Sequence, residues 1–327
     1  MSTAVNILQG QFGRALAAFA LAAFCSGVSA QYPNKPIRLI VPFPAGGAAE
    51  LGARIFSQPL GQGLGQPVVV EPRPGGDGAI AADAVMRSAA DGYTLFYATN
   101  TAFNWVPATR KVPPYDPAAD FTPVSLVGVF GFFLFTHPSV PANSVAELLA
   151  YARANPGKLN YGTGNSTSIL MAAQLKLAEN LDIVHVPYKG DAPLTIDLLA
   201  GRVQMAFATP GSALPQVKAG KLRALAAMLS SPSPLLPEVP TAGEAGLGKV
   251  SVTPWGGIFG PARMPREIAD RVARELAVVL ARPDVRESLG QIAFEPRSST
   301  PDELAAFLKE QTDSWGRTAR AAGINPE

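Results

Sequence analysis

Short apolar runs alternate with helical patterns along this chain, and that alternation predicts an α/β fold. Residues 37–43 and 68–71 have the length and composition of buried strands, and a helix is expected to begin near Ala48, after the first of them. Further strands are expected at residues 93–98, 159–162, 183–187 and 203–207. Strands that alternate with helices in this way predict a mostly parallel sheet.

Capping residues, proline and glycine predict where several helices begin or end. Pro59 predicts that the first helix ends or kinks at that point. Ser144 and Glu147 form a capping-box pattern at the start of a helix, which the Asn-Pro-Gly run at 155–157 ends. A polar stretch at 163–168 is interpreted as a loop, with the next helix beginning at about Ile169.

Two long apolar segments, 122–136 and 250–261, interrupt the alternation. The chain between them has its own set of strands and helices. We therefore expect two lobes with crossovers near Phe130 and Pro254. Residues 31–130 and 255–327 would form the first lobe and residues 131–254 the second. One larger domain is the alternative.

The first 30 residues have the pattern of a cleaved signal peptide. Arg14 precedes an apolar core at 15–24, and residues 28–30 (VSA) form a cleavage site, which predicts a periplasmic protein. Cleavage would remove Cys25, the single cysteine of the chain, so disulfides and thiolate chemistry are excluded from the mature protein. With 27 Lys and Arg against 25 Asp and Glu and no basic tract, a nucleic-acid partner is not expected.

Three small-residue turns follow predicted strands and carry the candidate chemistry. The first, at 43–48, runs into a helix start where bare backbone N–H groups hold anions without a charged side chain. The second is the Gly-Gly-Asp-Gly turn at 75–78, and the third is the polar stretch at 163–168, rich in hydroxyl and amide donors. Ligands of open α/β sheets bind at the carboxyl ends of strands, so one cleft for a carboxylate is expected.

No catalytic, metal or cofactor site is predicted. Residues 243–250 have P-loop spacing but end in Val250 where magnesium needs a hydroxyl, and no strand precedes them. A hydrolase that uses Ser166 or Ser168 with His185 remains the enzymatic alternative.

Six segments of the chain, in order, resemble the Bug-type (TctC-like) substrate-binding proteins of tripartite tricarboxylate transporters. They are residues 41–47 (VPFPAGG) with Ala53-Arg54, 91–95 (DGYTL), 155–162 (NPGKLNYG), 185–190 (HVPYKG), 219–226 (AGKLRALA) and 237–241 (PEVPT). The resemblance implies a two-lobed periplasmic binding protein of type II, or Venus-flytrap, architecture, whose hinge is the two crossover segments. It also implies a carboxylate held by the backbone of loops 43–48 and 163–168, and delivery to membrane permease subunits.

The full set of predicted ligand-binding residues comes from the three turns together with this resemblance. It comprises Phe43, Pro44, Ala45, Gly46, Gly47, Ala48, Gly76, Asp77, Asn100, Thr163, Asn165, Ser166, Thr167, Ser168, Tyr188 and Thr209. The chain departs from the family pattern at Ala48-Ala49, Glu50, Pro72, 75–78 and 165–169. Acidic Asp77 and Glu50 are expected near the mouth of the cleft, and the departures leave the identity of the ligand open.

The sequence thus favours a monomeric periplasmic receptor without enzymatic activity. Its ligand would be a di- or tricarboxylate, an aromatic acid or an amino acid, captured by hinge closure. A receptor that presents its ligand to a membrane sensor kinase is the alternative within the same architecture.

Overall fold

The computed structural model describes residues 32–45, 47–250 and 252–324. The expected signal peptide, its cleavage site and Gly46 lie outside these ranges. In the first part of the chain the elements are β1 (Ile37–Val41), α1 (Ala48–Leu64), β2 (Val68–Pro72), α2 (Ala79–Met86), β3 (Thr94–Thr99), α3 (Val106–Thr109) and β4 (Phe121–Phe130). A 3₁₀ turn at Gly76–Gly78 precedes α2, and a π-helical turn at Thr101–Trp105 precedes α3.

The middle and last parts of the chain add the remaining elements. The middle part contains β5 (Phe133–Thr136), α4 (Val145–Ala154), β6 (Asn160–Thr163), α5 (Ser166–Glu179), β7 (Val184–Pro187), α6 (Asp191–Leu199), β8 (Met205–Ala208), α7 (Pro210–Lys218) and β9 (Arg223–Ala227). The last part contains β10 (Trp255–Pro261), α8 (Arg266–Ala281), α9 (Pro283–Gly290), β11 (Phe294–Pro296) and α10 (Pro301–Ala321).

The strands form two sheets, one in each lobe. The first has six strands in the order β11-β4-β10-β3-β1-β2, and the second has five in the order β7-β6-β8-β5-β9. β1, β2 and β3 run parallel, as do β6, β7 and β8. The strands next to the crossovers pair antiparallel with their neighbours, so the expectation of mostly parallel sheets is wrong. The strand that leaves a lobe and the strand that returns to it run in opposite directions, so the two pair antiparallel where they are neighbours.

The chain passes between the sheets at two places. β4 ends at Phe130 in the first sheet, and β5 begins at Phe133 in the second. On the return, β9 ends at Ala227 and β10 begins at Trp255. A backbone bond from Phe130 N to Pro254 O, 2.7 Å long, places the two passages side by side. On this topology we propose lobe boundaries at 130/131 and 254/255.

Aromatic side chains fill the core of the first lobe. Phe56 of α1 meets Tyr97 of β3 edge to face, with ring centres 5.5 Å apart. On the other side of the sheet, Phe103 lies 4.7 Å from Phe259. α10 buries Leu304, Leu308 and Trp315. This packing positions β1 and β3, whose carboxyl ends lie at one edge of the sheet.

Two element predictions differ from the structure. α1 continues through Pro59 to Leu64, so the helix does not end at the proline, and Phe56 and Leu60 on either side of it are buried. That packing offsets the lost backbone bond, an effect of roughly 3 kcal/mol. α5 begins at Ser166, a turn earlier than expected, which places part of the predicted loop 163–168 in its first turn.

Candidate ligand-binding cleft

The loops that follow β1, β2 and β3 touch one another at the carboxyl edge of the first sheet. Gly78 packs so tightly that a Cβ atom there would lie 3.1 Å from Pro42 Cβ and 2.8 Å from Ala102 Cβ. Its φ of 99° is in the left-handed region that favours glycine. The glycine therefore lets three loops share one edge, where ligands of such sheets bind.

The start of α1 carries no side-chain cap. Its N-cap residue is Gly47, with φ −75° and ψ 155°, which has no side chain to accept from the first N–H groups. The first turn of a helix has N–H groups without an intrahelical partner, and its dipole favours negative charge. The N–H groups of Ala48 and Ala49 are therefore available to an anion. Phe43, Pro44 and Ala45 lead into this turn, with Pro44 and Ala45 exposed.

The second glycine turn is left-handed throughout. Gly75, Gly76, Asp77 and Gly78 all have positive φ, and Asp77, at 56°, is the non-glycine residue among them. Gly76 and Asp77 are exposed. Asp77 therefore presents its carboxylate to solvent, whereas Glu50 is buried and paired with Arg54. Glu50 lies in the first turn of α1, so the expectation that it lies near the mouth of the cleft stays a prediction.

In the second lobe, α5 begins with a complete capping box. The Asn165 side chain accepts from Ser168 N at 3.0 Å, and Ser168 Oγ accepts from Asn165 N at 3.2 Å. Ser168 Oγ also accepts from Gly164 N and donates to Asn165 O, so this hydroxyl is fully engaged in the turn. The Asn-Ser-Thr-Ser run at 165–168 is the sequence signal for this helix start, and the sequence analysis missed it. The N–H groups of Ser166 and Thr167 are left for a ligand.

Asp191 connects the loops of the second lobe, and the sequence analysis did not single it out. Its Oδ1 accepts from Asn165 Nδ2 at 3.1 Å. Its Oδ2 accepts from Thr209 N at 3.0 Å and from Thr209 Oγ1 at 2.6 Å. Burial raises the pKa of Asp191, and the bonds from Thr209 and Asn165 oppose that rise. Both donors of the predicted ligand residue Thr209 are thus directed at this carboxylate.

The two lobes meet through side chains of predicted site residues. Asn100, at the end of β3, donates from Nδ2 to Thr167 Oγ1 at 2.8 Å, and both residues are buried. Beside it, Thr101 Oγ1 and Ser166 Oγ are 3.1 Å apart. The helix start of α5 is therefore held directly against the carboxyl edge of the first sheet, with the start of α1 on the neighbouring strand.

Comparison with known proteins identifies the family. Residues 53–324 match the model of the tripartite tricarboxylate transporter family receptor. The chain belongs to this receptor family.

Three relatives illustrate how closely the receptor follows known members. It is 33% identical to Protein BugT of Bordetella pertussis over 312 residues, covering 93% of this chain and 94% of BugT. It superposes with a TM-score of 0.77 and 32% identity on the R. palustris protein Rpa4515 with adipate, covering 90% of this chain and all of that one. MatC from Rhodopseudomonas palustris, with bound malate, gives a TM-score of 0.71 at 29% identity, covering 88% and 99%. The two-lobed binding-protein fold expected from the sequence is confirmed.

The remaining predicted residues of the receptor lie at the carboxyl edge of the second sheet. Thr163 is buried, and its Oγ1 lies 2.7 Å from His185 Nε2. Tyr188 donates its hydroxyl to Asp197 at 2.8 Å. Burial and the nearby Lys176 lower the pKa of His185. His185 is thus engaged by a threonine, and Ser168 by the backbone, an arrangement that differs from the serine–histidine pair of a hydrolase.

Among residues 32–45, 47–250 and 252–324, no helix has the length and apolar character needed to cross a membrane. Within the same ranges, no group of three His, Cys, Asp or Glu side chains is arranged to hold a metal ion.

Proposed function

We propose that this chain is exported to the periplasm, captures a small carboxylate between its lobes, and delivers it to the membrane permease of a tripartite tricarboxylate transporter. The observation that carries the proposal is the pair of helix starts at the cleft. α1 begins at a glycine without a cap, and α5 begins at Ser166 and Thr167, whose N–H groups lie outside the capping box. Backbone N–H groups at helix starts are suited to a carboxylate and need no arginine.

The relatives support the chemical class of the ligand. Adipate in the R. palustris protein and malate in MatC are both small aliphatic carboxylates. The lobes of this chain have the same architecture, and the starts of α1 and α5 offer neutral backbone donors. A small organic acid therefore fits the donors at 47–49 and 166–167 better than an uncharged solute would.

Capture works through contacts with both lobes. A ligand carboxylate can accept hydrogen bonds from the starts of α1 and α5 at the same time only when the two lobes lie close together. Such a ligand shifts the population toward the closed form by as much as its affinities for the two forms differ. The Asn100–Thr167 bond, next to the site, forms in the same arrangement.

The test compares an acid with its methyl ester. A thermal-shift screen of carboxylates identifies the best acid, because a ligand at 100 times its dissociation constant adds about 2.7 kcal/mol of stability. Calorimetry then compares that acid with its ester, which keeps the shape and loses the charge. We expect the ester not to bind, and the acid to bind with little change between low and moderate salt, since a buried site is poorly screened. An ester that binds as well as its acid contradicts the proposal.

Delivery is tested in cells. Deleting the gene for this chain should abolish uptake of the identified acid at low external concentration, and the wild-type chain should restore uptake. Unchanged uptake in the deletion strain contradicts a role in delivery while leaving the binding result intact.

A further inference from the structure

Asp191 already fills one anion position of the second lobe. It is the first residue of α6, and its carboxylate accepts from the cap residue of α5, Asn165, and from both donors of the cap residue of α7, Thr209. Three helix starts therefore converge on one carboxylate that belongs to the protein. A helix start favours an anion from any source, and here the anion is internal.

The charge of Asp191 is balanced by neutral donors. Within the described residues, no lysine or arginine lies within ion-pair distance of its carboxylate. The backbone also packs closely around it, since a Cβ atom on Gly164 would lie 2.3 Å from Asp191 Oδ1. A partly buried charge of this kind is weakly screened and acts on any charge that enters the cleft beside it.

We propose that Asp191 determines specificity, and that this chain selects ligands with one carboxylate whose other end is neutral or cationic. The inference rests on the proposed function and names its substrate class. The ligand carboxylate takes the open N–H groups of α1 and α5. A second carboxylate that reached the second lobe would find the Thr209 donors occupied and would lie beside a like charge. A ligand ammonium group at the same place would be attracted.

The ligands named for two relatives belong to the class that this inference disfavours. Adipate and malate each carry two carboxylates. The Thr209 N–H and hydroxyl could otherwise bind a second ligand carboxylate. In this chain both donate to the carboxylate of Asp191, at the start of α6. We therefore expect this chain to bind dicarboxylates less tightly than monocarboxylates of the same length.

Matched ligand series test the inference. For chains of four, five and six carbons, calorimetry compares the monocarboxylate, the dicarboxylate and the ω-amino acid, for example hexanoate, adipate and 6-aminohexanoate. In the wild type we expect the monocarboxylate and the amino acid to bind at least roughly tenfold more tightly than the dicarboxylate of equal length, which corresponds to about 1.4 kcal/mol.

Two variants distinguish the effect of the Asp191 carboxylate from the effect of removing any negative charge from the lobe. Asp191→Asn should raise the affinity of the dicarboxylate relative to the monocarboxylate by roughly tenfold and weaken the amino acid. Asp182→Asn removes an exposed carboxylate of the same lobe and should leave these ratios unchanged. If Asp191→Asn does not fold, the wild-type series still overturns the inference when the dicarboxylate binds as tightly as the monocarboxylate.

Each outcome has a distinct meaning. A wild type that binds the dicarboxylate as tightly as the monocarboxylate overturns the inference and leaves the proposed function standing. A wild-type preference that persists unchanged in folded Asp191→Asn also overturns it. Failure of every acid to bind the folded wild type overturns the proposed function and this inference with it.

Discussion

At the scale of single residues, Gly47 shows how a site built on backbone depends on the absence of a side chain. Its φ of −75° suits any residue, and a Cβ atom there would lie 3.4 Å from Pro44 O. The reason for glycine at this position is therefore access to the N–H groups of α1, because the backbone itself is unstrained.

Gly47→Val should fold with nearly unchanged melting temperature and lose at least roughly tenfold in affinity for the identified acid, about 1.4 kcal/mol. The added methyl groups stand where the carboxylate must approach the first turn of α1. Calorimetry measures the affinity, and Gly243→Val serves as the control, because a Cβ atom there meets nothing within 4 Å. Unchanged affinity in a folded Gly47→Val chain would show that the ligand binds elsewhere.

Ser168 has a structural role that its position in the predicted loop does not suggest. It is fully buried, and its hydroxyl accepts from Gly164 N and Asn165 N while donating to Asn165 O. Ser168→Ala leaves the N–H groups of Gly164 and Asn165, both half-buried, without this acceptor. We expect the free energy of unfolding, measured by urea denaturation, to fall by about 1–2 kcal/mol. The exposed helical hydroxyl of Ser288 provides the control variant Ser288→Ala, which should change stability by less than about 0.5 kcal/mol. Equal stability of the two variants would contradict this role.

At the scale of secondary-structure elements, the pairing of β11 with β4 depends on Gly128. A Cβ atom there would lie 2.2 Å from Glu295 O and 2.5 Å from a ring carbon of Phe294. Gly128→Ala must therefore push β11 away from β4, at a cost of about 1–3 kcal/mol. Thermal and chemical unfolding measure the loss, with Gly248→Ala as the control because a Cβ atom at Gly248 meets nothing within 4 Å. A Gly128→Ala chain as stable as the control would contradict this packing.

The sequence predicted the elements whose cause is local. β2 and β3 lie within one residue of their predicted positions, because an apolar run ended by turn residues specifies a buried strand wherever it occurs. The start of α5 was misplaced because Asn165 and Ser168 cap it through side-chain bonds that resemble a polar loop in sequence. Antiparallel pairing at the crossovers and the bonds of Asp191 depend on residues far apart in the chain, which no local pattern encodes.

At the scale of the whole molecule, the cleft lies between two lobes, and the chain passes from one lobe to the other at two places. The start of α5 contacts the first lobe through the Asn100–Thr167 bond and the Thr101–Ser166 contact. Away from the cleft, Gln174 of α5 donates to Thr318 of α10 at 2.9 Å. Polar contacts between the lobes therefore lie on both sides of α5, and in the proposed capture mechanism they oppose opening of the cleft.

Closure should be visible in solution scattering. We expect saturating acid to lower the radius of gyration of the wild type, because the ligand bonds both helix starts and favours the closed form.

Asn100→Ala with Thr101→Ala removes the side chains that hold the cleft shut, so the free double variant should have a larger radius than the free wild type and a lower affinity for the acid. Asn143→Ala with Ser139→Ala, both on the second lobe away from Asn100, provides a control that should scatter like the wild type. The two comparisons cover both starting points: a mostly open free chain responds to ligand, and a mostly closed one responds to the substitutions. A radius that changes in neither comparison, in folded chains that bind the acid, would contradict hinge closure as the means of capture.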